Sequence, residues 1–296
     1  MKVIKPNPIT VASIVSSNLQ ETEPAWVSTT NYSIGAVVYD GFDGIYQAIT
    51  ANLNKQPSLN PLDWAYLRPS NRWAMFDSEI NTSSTRQNLI DFRLATGNQQ
   101  GFALLNMTGA SVEITVTDGL NGPVVYTNKQ SLVGQVFDWF QYFFFDIETQ
   151  RNQAVFVDLP LNYINTYTRV VVQGTGTVSI GGCTFGRLLT IGSSEYGFTS
   201  GITDYSVKQT DEFGTSTFVR RGFSKRMTGR VLVPNNELNR VQRTLYELRA
   251  IPALWFASQN PNLEEALVVF GYYKDFSTDI SYPNYSYCSL DIEGLI

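Results

Sequence analysis

The chain is predicted to be mainly β, with a small aromatic β module, an antiparallel β-sandwich and a β-rich C-terminal domain carrying one helix. Three observations predict this. Aromatic residues make up 13% and charged residues only 16% of the 296 positions, with 22 glycines; such a chain is too apolar for disorder and rich in strand-favouring side chains. Short runs alternate with period two, as Val112, Ile114 and Val116 do in "SVEITVTD". Turn signals such as "GFDG", "GLNG" and "GTG" recur between those runs.

In chain order, residues 1–23 form an N-terminal arm containing Pro6 and Pro8. It reads either as an extended segment that pairs with a neighbouring surface or as a helical turn packed on its own domain. Residues 24–70 form the aromatic module. There, "GAVVYD" and "IYQAIT" make a hairpin about "GFDG". A unit this small has little core to bury, and large aromatic side chains supply most of it. Residues 71–190 form the sandwich, with "SVEITVTD" and "PVVYTNK" as a second hairpin. "QAVFVDLP", "TRVVVQGTG" and "TVSIGGCTFG" are further strands, and the glycines of "GTGTVSIGG" are read as a turn between the last two. Residues 191–296 form a β-rich assembly domain with a helix over about 236–250. Asn235 or Asn236 is placed to cap that helix, and Leu238, Val241, Leu245 and Leu248 fall at helical spacing before Pro252 ends it.

Composition removes several function classes. The chain has no histidine, which excludes His-based triads and most transition-metal sites. A net charge of −5 argues against non-specific nucleic-acid binding. No apolar run approaches bilayer-spanning length, and "MKVIKPNPITVASIV" does not read as a signal peptide. Cys183 and Cys288 lie far apart in strand-like settings and are expected to be buried free thiols. The sequence lacks phosphate-loop and dinucleotide-binding patterns. No catalytic residue, metal site or cofactor is expected. Asp275 with Asp279, and Asp291 with Glu293, read as acidic pairs on solvated sheet faces.

Two features point to assembly. Arg220, Arg221, Lys225, Arg226 and Arg230 crowd one stretch of an acidic chain. They are read as a charged inter-subunit contact or an ordinary solvated strand. "DWFQYFFFD" places aromatic residues at 139, 140, 142, 143, 144 and 145. Read as a strand, it has too many rings for one buried face, so part of the set, with Trp139 and Phe140, is assigned to an interface.

Finally, Trp26, Tyr32, Gly35, Val37, Tyr46-Gln47-Ala48, Pro57 and Trp64 resemble the pattern of small chitin-binding-like carbohydrate-binding modules. The following "PSNRWAMFDSEINTSST" resembles the virion proteins of tailed bacteriophages. "NMTGASVEITVTD" and "VSIGGCTFG" are similar to the galactose-binding-type sandwich of those proteins, and the closing stretch from "VVFGYYKDF" to "SLDIEGL" is similar to their C-terminal domain. The resemblance implies a non-enzymatic virion component of the tail tip, baseplate or a tail-attached appendage, made in the host cytoplasm. Its implied partners are other tail proteins and further copies of itself in an oligomer or ring, with neither nucleic acid nor membrane insertion. The alternative it implies is a receptor-binding module that holds a host polysaccharide on Trp26, Tyr32, Tyr46 and Trp64.

Overall fold

A computed structural model describes residues 1–41, 43–133, 139–144, 151–160, 163–258 and 264–295, the side chains of 141, 142, 144, 264 and 265 excepted. The fold is mainly β, its strand ladders antiparallel, consistent with a sandwich-type architecture. The chain divides into two compact units: Pro8–Thr184, and Met1–Asn7 together with Phe185–Ile296.

In the first unit, strands Val124–Ser131, Ser111–Asp118, Thr166–Thr190, Ser84–Ala95 and Ile14–Ser17 pair in that order. The period-two pattern sets the register. Ile114, Val170 and Phe92 lie in one cross-strand row, and Val112, Val172 and Ile90 in the next. All six are fully buried. The alternate positions face water, where the Asp91 carboxylate takes both a 3.0 Å and a 2.5 Å hydrogen bond from Arg169. Gly101–Thr108 pairs with Ala154–Phe156 and adds Phe102, Leu104 and Phe156 to the core.

The "GTG" segment is not a turn. Thr166–Thr190 runs through it as one strand, and Gly174 to Gly176 bulge opposite Asn88 where the register slips between Gln173 and Thr177. Gly176 has φ +97°, a conformation costly for any other residue, and its N–H donates to Asn88 Oδ1 at 3.2 Å.

The "DWFQYFFFD" stretch also departs from expectation. Trp139–Phe144 is a short α-helix rather than a strand, and its flanking residues 134–138 and 145–150 lie outside the described set. Trp139 and Phe143, one helical turn apart, stack at 6.2 Å.

In the second unit, Lys2–Pro6 is an inner strand, paired on one side with Gly186–Thr190 and on the other with Leu254–Phe256. The leader thus supplies an extended strand here and one 3-10 turn, Val11–Ser13, in the other unit. The sheet continues through Ala253–Phe256, Val268–Asp279, Tyr285–Gly294 and Phe223–Pro234. One face packs against the helix Leu238–Glu247 through Val241, Leu245, Val231, Val233, Trp255 and Ile292. The helix is shorter than expected, and neither asparagine caps it. Glu237 holds the cap position with no side-chain capping bond, its carboxylate pairing with Arg240 instead. Asn235 is drawn away: its Nδ2 donates to the Tyr282 and Pro283 carbonyls, and its Oδ1 accepts from Ser286. At the other end the Leu245 carbonyl accepts both the Leu248 N–H, at 3.1 Å, and the Tyr273 hydroxyl, at 2.8 Å. Among the described residues no helix is long and apolar enough to cross a membrane.

Candidate functional site

The aromatic module is built on the three-stranded sheet Val37–Tyr39, Gly44–Ala48 and Trp64–Pro69, with a two-stranded pair, Asn31–Tyr32 and Asn52–Leu53. Its core is Tyr32, Val38, Ala48 and Trp64, with Trp26, Ala36 and Tyr46 packed against it. Trp64 is 2% exposed, and the Tyr32 ring meets it edge-on at 5.2 Å. Both polar handles are satisfied inside the module. Trp64 Nε1 donates to the Lys55 carbonyl at 2.9 Å, and the Tyr32 hydroxyl accepts from Val27 N–H at 2.7 Å. Trp26 is half-buried, and its backbone N–H donates to the Tyr39 carbonyl at 2.7 Å.

Of the four rings expected to meet a sugar, two are therefore core residues with no open face, and Trp26 and Tyr46 are partly covered. The exposed ring is one the sequence reading passed over. Tyr66 is 57% exposed and sits opposite Tyr46 in register, the two rings edge-to-face at 5.5 Å. Both hydroxyls are held protonated beyond the usual tyrosine range, first by burial and then by the nearby Asp43 carboxylate. Gly44 makes room for the pair: a Cβ there would stand 2.7 Å from Tyr46 Cε2 and 2.9 Å from Tyr66 Cε2. The signal that reveals Tyr66 is its spacing of two from Trp64 on a third strand, which puts it on the face that carries Tyr46.

The "NRWAMFD" segment is a structural junction. Asn71 Nδ2 donates to the Gln20 and Thr85 carbonyls, each at 2.9 Å, and Asn71 Oδ1 accepts from Thr85 N–H at 2.7 Å. The Glu21 carboxylate takes the Asn71 and Arg72 N–H groups at 2.7 and 2.9 Å. Arg68 pairs with Glu23 beside them. Trp73, Phe76 and Phe92 then form an edge-to-face chain from the junction into the sandwich core. These bonds fix the module's last strand to the first long strand of the sandwich.

The five basic residues occupy three different places. Arg226 and Arg230 point outward from Phe223–Pro234, and Lys225 alternates to the other side. Arg226 lies opposite Glu293, and Arg230 stacks over the Tyr287 ring at 4.7 Å. This is the same solvated face that carries the acidic pairs: Thr228 Oγ1 donates to Asp291 at 2.7 Å, and Asp275 stands opposite Asp291. Arg220 and Arg221 fall instead between Ser216–Val219 and Phe223–Pro234, at the root of a separate hairpin. Trp139 and Phe140 are exposed in the other unit.

Cys183 and Cys288 are free and buried, and burial pushes the Cys183 thiol well above the usual cysteine range and the Cys288 thiol upward. Such thiols are poor nucleophiles. Among the described residues no group of three or more Cys, Asp or Glu side chains is placed to hold a metal ion. No protein-family model matches the chain, and no curated protein matches it.

Proposed function

We propose that this chain is a non-enzymatic structural component of a tailed-phage virion, sited in the tail tip, baseplate or a tail-attached appendage, that works through protein–protein contacts. One observation carries the reading: the aromatic module turns Tyr32 and Trp64 inward, while large apolar side chains stand exposed elsewhere, on the Trp139–Phe144 helix and on a C-terminal hairpin. Exposed apolar groups suit contact with other subunits. The rigid Glu21–Asn71 junction suits an adaptor whose parts must hold a fixed geometry.

The test is to find the chain in purified particles by mass spectrometry and to locate it by labelling. Particle-bound copies in fixed ratio to a known tail subunit are expected. A chain that stays in the unbound fraction overturns the reading.

The Tyr46–Tyr66 pair favours a second reading, receptor binding, because a flat ring beside polar groups suits the apolar face of a sugar. On that reading host polysaccharide retains the protein, and Tyr66→Ala abolishes retention while Trp26→Ala weakens it. No retention on any host envelope glycan removes it.

A further inference from the structure

The hairpin Val207–Thr210 with Ser216–Val219 forms a two-stranded sheet of its own. Not one of its eight strand residues is buried. Its rings stand in water: Phe213 at the tip is 92% exposed and Phe218 is 73% exposed. An isolated two-stranded hairpin is marginal in water, so the burial it needs has to come from outside it.

The two edges differ. Val207–Thr210 carries Lys208, a charge of the kind that blunts strand addition, and Lys208 lies over the Phe218 ring at 5.9 Å. Ser216–Val219 reads "STFV", uncharged, free of proline and strand-favouring. It therefore has none of the usual protections against pairing with another strand.

Charge along the hairpin identifies the partner. The tip carries Asp211 and Glu212; the root carries Arg220 and Arg221. Among the described residues no carboxylate lies within ion-pair distance of either arginine. If two Ser216–Val219 edges pair antiparallel about a two-fold axis, each acidic tip comes alongside the other copy's basic root. If the opposite edges pair, each tip instead comes beside Asp204, and like charges meet.

We propose that the Ser216–Val219 edge pairs antiparallel with the same edge of a second copy of this chain, joining the two hairpins into one four-stranded ribbon. The two-fold axis puts both Phe218 rings on one face of that ribbon, and Arg220 and Arg221 meet Asp211 and Glu212 of the other copy. The contact is isologous, as two-fold contacts are. It rests on the assembly reading above and names one of its partners.

The test is the mass of the purified full chain by size exclusion with light scattering, at about 0.1 mM. A particle of twice the 33.2 kDa chain mass is expected. Arg220→Glu with Arg221→Glu, or Glu212→Arg alone, weakens association more than about a hundredfold, because like charges then face each other. An equimolar mixture of the two variants regains the dimer, since each carries the charge the other lacks. Asp211 is left unchanged because its carboxylate accepts the Phe213 and Thr215 N–H groups and holds the turn. Unchanged circular dichroism and a cooperative unfolding transition show that the variants fold.

A wild-type monomer overturns the proposal, as does a dimer that the charge reversals leave intact. Either result leaves the virion assignment standing, because that is read from particle-bound copies.

Discussion

In the 24–70 module, Tyr32 and Trp64 are enclosed by their own short strands; in the Val207–Val219 hairpin, Phe213 and Phe218 are bare. Both elements are small, and neither can build a large core. The module gains stability from its own rings and from a hydrogen-bonded junction to the sandwich. The hairpin buries nothing, so its rings are available to another surface. Aromatic content alone therefore does not identify a binding platform; the direction each ring faces does.

The sharpest way to break this contrast is a matched pair of truncations. Trp64→Ala should cost about 3–5 kcal/mol, because it empties a buried site and removes the bond to Lys55. Phe218→Ala, measured in the monomeric charge-reversal background, should change stability by less than about 0.5 kcal/mol. Chemical denaturation reads both, and equal costs would remove the distinction. Gly44→Val comes next, at about 1–3 kcal/mol, because the added methyls collide with the Tyr46 and Tyr66 rings; near-ultraviolet dichroism follows the tyrosines. Glu21→Gln should cost about 1–2 kcal/mol, since one amide oxygen replaces a carboxylate that accepts from two backbone N–H groups. Proteolysis within residues 68–75 should quicken with it.

The smallest effect concerns pH. Hydrogen bonds from Lys55 and then Thr50 hold the Asp63 carboxyl below the usual range. A depressed folded-state pKa gives stability that is present above the unfolded value and lost as pH falls through the folded one. Asp63→Asn should lower neutral stability slightly and flatten the acid limb by the same small amount, as titrated unfolding curves will show.

Where alternation was regular, the sequence was a good guide. Val112, Ile114 and Val116 sit where period two puts them, and Val241, Leu245 and Leu248 sit on the buried side of their helix. Misreadings arose where a distant partner decides the local form. Glycines in "GTG" permit a turn or a bulge, and pairing with Ser84–Ala95 selects the bulge. Asn235 is chemically a good cap, but the 282–286 segment engages it first. Trp139 and Phe143 carried a helical spacing of four that the density of rings obscured. Tyr66 was missed because Trp64–Pro69 shows no clean alternation, having only Trp64 fully enclosed.

The inner strand Lys2–Pro6 has a consequence for biosynthesis. It leaves the ribosome well before its partners at 186–190 and 254–256. Residues 8–184 can close on themselves meanwhile. Val3 and Ile4, fully buried in the finished sheet, must wait uncovered until residue 256 has emerged. Nascent chains stalled short of that point are the species most exposed to aggregation, and the ones a chaperone would need to shield.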